Sequence, residues 1–279
     1  MPAGGFQEIA QWVLAGQFVV AETKAVETRL TVDILPQPDD NTCGATCLHS
    51  VYRYYGDELP LERVIAEVSH LEEGGTLDVL LACHALRRGY QAKIFTYNLN
   101  IFDPTWFTSG ADEGLDIRER MREQMAFRPD HKLAVATEAY LEFLSRGGQL
   151  RFEDLTAALI RKYLNRGIPV LTGLSSTYLY RSAREFGPHD EPDDVRGMPS
   201  GHFVVLCGYD NKERQVLVAD PLQSNPVSGS NQYLVSIDRV ICAILLGIVT
   251  YDANLLIIEP SKPSKQGRNA DSDRRQQQH

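Results

Sequence analysis

The hydrophobic pattern of this 279-residue chain changes character partway along. In the first part apolar positions recur at helical spacing. Cys47, Val51 and Tyr55 fall four apart, so a helix is expected from about residue 43, with Asn41 or Thr42 as its cap and Gly56 as its stop. Leu61, Val64, Ile65 and Val68 share one helix face at i, i+3, i+4 and i+7. The stretch GGTLDVLLACHALRRG is apolar nearly all round and reads as a buried helix, capped by Thr76 and stopped by Gly89. YQAKIFTYNL then alternates like a strand. Residues 100–150 are charged and weakly patterned. Two helices are expected there, one turning Ile117, Met121 and Met125 inward, the other Leu133, Tyr140 and Leu144. A further amphipathic helix, EDLTAALIRKYLNRG, leads into a short buried strand, IPVLTGL.

From about residue 200 the apolar residues run together. GHFVVLCGYD, RQVLVADP and ANLLIIEP are strand-like runs separated by turn residues. A helical first half followed by a strand-rich second half predicts an α+β fold. Residues 1–260 are expected to form one domain, with 100–150 as an insertion and 175–201 as a long loop. The tail, 261–279, has no apolar content and reads as disordered. There is no internal repeat.

Composition narrows the function. A net charge of −9 argues against nucleic-acid binding and against attraction to an anionic membrane surface. No apolar run reaches the ~18 residues of a membrane span; VICAILLGIV is shorter and reads as core. The N-terminus lacks the basic region of a secretory signal, and its apolar patch is expected to pack as a helix or strand. Five cysteines without regular spacing make no disulfide framework. A reduced, cytoplasmic protein is the expectation.

One thiol stands apart from the apolar runs. Cys43 falls where a loop becomes a helix. A helix N-terminus and a nearby imidazole both favour the thiolate, and a cleft mouth gives substrate access. Gly44 beside it allows close approach of backbone or substrate. Attack on an amide creates an oxyanion that needs preorganised donors. The side-chain amide of Gln37, one short loop upstream, and the Cys43 N–H suit that task. Of the seven histidines, His202 has the best context, at the start of a strand that can aim it into a cleft. Asp220 closes the next strand. An antiparallel pair joined by the turn YDNKER would bring it beside His202, where it could fix the imidazole tautomer.

Gln37, Cys43-Gly44 six residues on, the Gly-His-Phe strand and the Asp-Pro after the next strand resemble the bacteriocin-processing (double-glycine leader) peptidases, which are papain-like cysteine peptidases. The buried helix with its Gly-Thr start and Gly-aromatic end resembles theirs too. The likeness covers roughly residues 31–100 and 155–260. It implies a papain-like α+β fold in which the helix bearing Cys43 packs on an antiparallel sheet. It also implies a nucleophile at Cys43, a general base at His202, an orienting carboxylate at Asp220 and an oxyanion donor at Gln37. Those peptidases are commonly the first domain of an export transporter. This chain shows neither membrane spans nor a nucleotide-binding module, so it looks like a stand-alone cytosolic branch, and double-glycine leader specificity does not carry over. That branch is associated with amide-forming ATP-grasp ligases, which makes such a ligase an expected functional partner.

The expected activity is cleavage of a peptide or isopeptide amide through a thioester, with no metal or organic cofactor. A small-metabolite amidase or acyltransferase is the alternative, since an amine can resolve a thioester as water does. A peptide-binding module is the non-enzymatic one. In the 175–201 loop, Tyr178, Tyr180, Arg181 and Arg184 are candidate substrate contacts that could read a carboxylate, although a solvated loop face is the commoner role for such residues. Cys47, Cys83, Cys207 and Cys242 lie in apolar runs and read as core thiols. A zinc site from Cys43, Cys47, His49, Cys83 and His84 lacks any CxxC pair. Asp39 and Asp40 are expected to shape a turn after Pro38.

Overall fold

The computed structural model describes residues 28–71, 74–108 and 116–261. The expectations for the N-terminal apolar patch and for the tail beyond Ser261 lie outside the described residues.

The first three helices are α1 (Cys43–Tyr54), α2 (Leu61–Glu67) and α3 (Asp78–Arg87). Every residue of α1 from Cys43 to Tyr52 is buried, because the helix is enclosed on several sides. It packs on the sheet and is covered by α2 and α3. Gly56, at φ +80°, supplies the left-handed turn that stops it. The cap differs from expectation. Thr42 holds the N-cap position of α1, but its hydroxyl donates back to Asp39 O at 3.0 Å and makes no cap bond. Likewise Leu77, not Thr76, is the N-cap of α3, and Thr76 Oγ1 donates to Ser69 O at 2.9 Å.

The 100–150 region holds the two expected helices, α4 (Ile117–Phe127) and α5 (His131–Ser145). Met121 is buried, while Ile117 and Met125 are only half-buried, so α4 lies on the periphery. Leu133 and Tyr140 are buried in α5. After it, α6 (Ala157–Leu164) is capped by Thr156, whose side chain accepts from Leu159 N.

One eight-stranded sheet is present among the described residues. Its strands are β1 (Thr28–Arg29), β2 (Tyr90–Thr96), β3 (Gln149–Arg151), β4 (Val170–Ser175), β7 (Gly201–Asp210), β8 (Gln215–Ala219), β9 (Gln232–Ser236) and β10 (Asn254–Pro260). The order is β3-β2-β10-β4-β7-β8-β9, with β1 added on β7. Only the β2–β3 pair is parallel. Both faces are covered, so the central strands are continuous apolar runs. Val205 and Cys207 of β7 join the core shared with α1, whereas Val204 and Leu206 join the core shared with α6 and α8 (Ile237–Leu246).

Residues 175–201 are more ordered than the sequence suggests. They form a short helix, α7 (Ser176–Tyr180), and a two-stranded hairpin, β5 (Glu185–Phe186) with β6 (Glu191–Pro192). The apolar run expected to be core is only half so. Helix α8 buries Ile237, Val240, Ala243 and Ile244 but exposes Leu245, Leu246 and Cys242. An amphipathic helix on a sheet turns one stripe inward and leaves the other outside whatever its residues. Among the described residues no helix is long and apolar enough to cross a membrane.

Candidate active site

The loop ahead of α1 is fastened at both ends. Gln37 N donates to Pro221 O at 2.9 Å, which ties the loop to the residue just after Asp220. Asp39 Oδ1 accepts from Asn41 N at 2.9 Å, the turn expected of that residue. Asp39 O then gathers Gln37 Nε2 at 2.9 Å and the Thr42 hydroxyl. Since Thr42 turns away from the helix, the first N–H groups of α1 have no side-chain cap. The Cys43 side chain lies at this end, 8% exposed.

The hairpin opposite sets His202 and Asp220. At the β7–β8 turn, Asp210 Oδ1 accepts from Lys212 N and Glu213 N at 3.0 Å each, and Arg214 takes a left-handed φ of 53°. Asp210 thereby pairs with Gln215, and past a bulge between Leu206 and Gly208 Val205 pairs with Ala219. At the far end of the hairpin His202 Nε2 donates to Asp220 Oδ1 at 2.9 Å. An ionised carboxylate only accepts, so Nε2 carries the proton and Nδ1 is left for the thiol. The Cys43 side chain lies on the other side of the same imidazole, near enough to act on its titration.

Asp220 is fully buried, and an isolated ion there would be costly. It is not isolated. Oδ1 also accepts from Leu222 N at 2.9 Å. Oδ2 accepts from the Tyr180 hydroxyl at 2.8 Å and the Tyr233 hydroxyl at 2.7 Å. Burial works to raise the Asp220 pKa, and its donors, His202 first, outweigh that and hold it below the usual carboxylate value. For His202 burial works downward, but the hydrogen bonds and charges of Asp220 and Cys43 prevail and raise its pKa to about 10. Both neighbours thus favour the protonated form of the imidazole, lodged between the thiol and the carboxylate.

Several expected contacts take other roles. Tyr180, expected to face substrate, commits its hydroxyl to Asp220 because α7 packs beside β7. Arg184 donates to Asp194 O at 2.6 Å and so braces the β5–β6 excursion. Gly44 makes a close approach, but to side chains of the protein: a Cβ there would lie 2.6 Å from Thr76 Cγ2 and 3.2 Å from Phe203 Cδ2. Tyr178 and Arg181 are exposed. Among the other thiols Cys47 donates to Phe203 O, and burial pushes the pKa values of Cys47, Cys83 and Cys207 up. Cys242, expected to be core, is exposed on α8. His84 is buried and bonded to the Tyr52 hydroxyl at 2.8 Å, and Glu67 Oε2 lies 3.2 Å from its Nε2.

Tyr233 and Arg239 were not singled out from sequence. Tyr233 lies in an alternating strand and pairs with Val218, two residues before Asp220. The hairpin register, had it been drawn one strand further, would have shown it.

Residues 132–236 match the model of the Peptidase_C39 like family. The matched span includes His202, Asp220, Tyr180 and Tyr233 and leaves Cys43 outside. No curated protein sequence matches the chain. Among solved structures, a candidate C39-like peptidase from Bacillus anthracis is 16% identical, covers 85% of this chain and 98% of its own, and superposes with a TM-score of 0.46. A double glycine motif protease from an AMS/PCAT transporter, solved with its leader peptide, is 15% identical over 84% of this chain and 96% of its own, with a TM-score of 0.39. Xylellain, a cysteine protease from Xylella fastidiosa, is 14% identical over 85% and 88%, with a TM-score of 0.39. The family matched over residues 132–236, the span that holds His202 and Asp220, is the one that the four motifs resemble.

Proposed function

We propose that the chain is a cysteine peptidase that cleaves peptide or isopeptide amides through a thioester held on Cys43. The observation that carries this reading is the imidazole of His202, bonded to Asp220 on one side and adjoining the Cys43 side chain on the other. A thiol beside a neutral imidazole passes its proton to the free ring nitrogen before attack, and the resulting thiolate–imidazolium pair is a strong nucleophile near neutral pH.

Cys43 Sγ adds to the amide carbonyl carbon, and the C=O electrons move onto oxygen. That oxyanion falls to the Cys43 N–H, at the uncapped start of α1, and to Gln37 Nε2. The second N–H of this Gln amide is not used by Asp39 O. The C–N bond then breaks and His202 Nδ1 hands its proton to the departing amine, leaving a thioester. Water attacks the thioester while His202 takes its proton, the C–S bond breaks, the acid leaves, and the thiolate–imidazolium pair is restored. Asp220 keeps Nε2 protonated throughout and so fixes which nitrogen faces the thiol.

The test is chemical labelling combined with turnover. In a Cys242→Ser background, which removes the exposed competing thiol, iodoacetamide near pH 6 is expected to label Cys43 ahead of the three buried thiols. Digestion of a diverse synthetic peptide library, read by mass spectrometry, is expected to show cleavage that Cys43→Ala abolishes. Retained cleavage in Cys43→Ala would overturn the proposal.

A further inference from the structure

The arginines of this protein mostly have partners. Arg53, Arg63, Arg87, Arg88, Arg166 and Arg214 pair with carboxylates, and Arg184 reaches backbone carbonyls. Two that lie together do not. Arg181 follows α7 and Arg239 is in the first turn of α8, and these helices pack on one another. Among the described residues neither guanidinium has a hydrogen-bond or ion-pair partner. Arg239 Nε is moreover a buried donor left without one. This is unusual in a chain of net charge −9, where carboxylates are plentiful. The like charges feel each other. Burial first, and then Arg181, lower the Arg239 pKa. The backbone contributes as well: Arg181 is held at φ 55°, a left-handed conformation that a non-glycine residue adopts at a cost.

An exposed and a partly buried guanidinium side by side, with forks unfilled and the adjacent Asp238 engaged by Arg214, form a receptor for an oxyanion. Their position says whose. Tyr180, the last residue of α7, and Tyr233, next to Arg239, both end on Asp220 Oδ2. His202 separates Cys43 from Asp220, so the two tyrosines, and with them α7 and the start of α8, lie on the imidazole side of the thiol. The amine leaving group departs on that side, because His202 gives it its proton.

Resting on the peptidase reading above, we propose that Arg181 and Arg239 bind a carboxylate of the peptide on the leaving-group side of the scissile bond, so that substrates carry an acidic residue, or their own C-terminal carboxylate, a few residues after the cut. Arg239 takes the role that sequence spacing gave to Arg184, and Tyr178, exposed beside the pair, forms its apolar wall.

The experiment uses the full chain and the same peptide-library digest, reading residue frequencies after each cut. For the parent, Asp, Glu or a free C-terminus is expected to be enriched several-fold over background. In Arg181→Gln/Arg239→Gln the ratio of acidic to neutral sites should fall to background, while the control Arg122→Gln, an exposed arginine of α4, keeps the parent ratio. Equal ratios in parent and double variant would overturn the proposal. If no protein cleaves anything, the peptidase reading fails by itself and a second arm decides the anion site. Glutarate, and separately inorganic sulfate, is titrated against Cys43→Ala and read as a shift in melting temperature relative to chloride at equal ionic strength. A shift with glutarate that disappears in the Arg181→Gln/Arg239→Gln version upholds a carboxylate site. A shift with sulfate alone, or none, overturns it.

Discussion

Asp220 offers the sharpest test of how the site is held, because its Oδ2 depends wholly on two tyrosine hydroxyls. Tyr233→Phe removes one of them with no change in ring packing. A hydrogen bond to a charged group contributes about 1.5–3 kcal/mol, so the single variant should lose about that much stability. For a chain of this size each kcal/mol moves the melting temperature by about 2–4 °C, giving an expected fall of about 3–12 °C. Tyr180→Phe should behave alike. The double variant should lose more than the sum of the two, since the second deletion leaves a buried carboxylate oxygen with no donor at all. The pH dependence gives a second readout. Asp220 has a folded pKa below its unfolded value, so its stabilisation is present above the unfolded pKa and lost as pH falls through the folded one. Removing donors raises the folded pKa, and acid unfolding should begin at higher pH. Urea unfolding followed by circular dichroism at pH 7, then across pH 3–6, measures both. Strictly additive losses, with an unmoved acid limb, would refute the view that the tyrosines act jointly on one buried charge.

Two further outcomes follow from the same geometry. Asp220→Asn should turn the imidazole to the wrong tautomer and lower kcat by ~10²-fold or more, measured on any cleaved peptide from the library; a loss under threefold would count against the orienting role. Gly44→Ala forces a Cβ to 2.6 Å from Thr76 Cγ2, on a stiff β-branched side chain, and should cost about 1–3 kcal/mol in urea unfolding, whereas a change within about 0.5 kcal/mol would show that α1 and α3 separate freely there.

The sequence by itself determined the local elements and the pairing of His202 with Asp220. Helical spacing at Leu61, Val64 and Val68 and the continuous run at Phe203–Tyr209 appear as α2 and β7, because those periods decide which face can be buried. The turn at Asp210–Arg214 lies between two strands only a few residues apart in sequence. A short antiparallel connection allows few registers, so the closeness of His202 and Asp220 was legible. Tertiary structure decided what lies around them. Tyr180 and Tyr233 reach Asp220 from 40 and 13 residues away, through helix packing and a third strand, and no local pattern marks a tyrosine as a carboxylate donor. Arg184 braces the β5–β6 excursion for the same reason: a charged side chain's partner is set by which surfaces meet, not by its neighbours in sequence. Cys242 was misjudged because an apolar run shows that a helix packs, while only the sheet beneath it chooses the face that turns in.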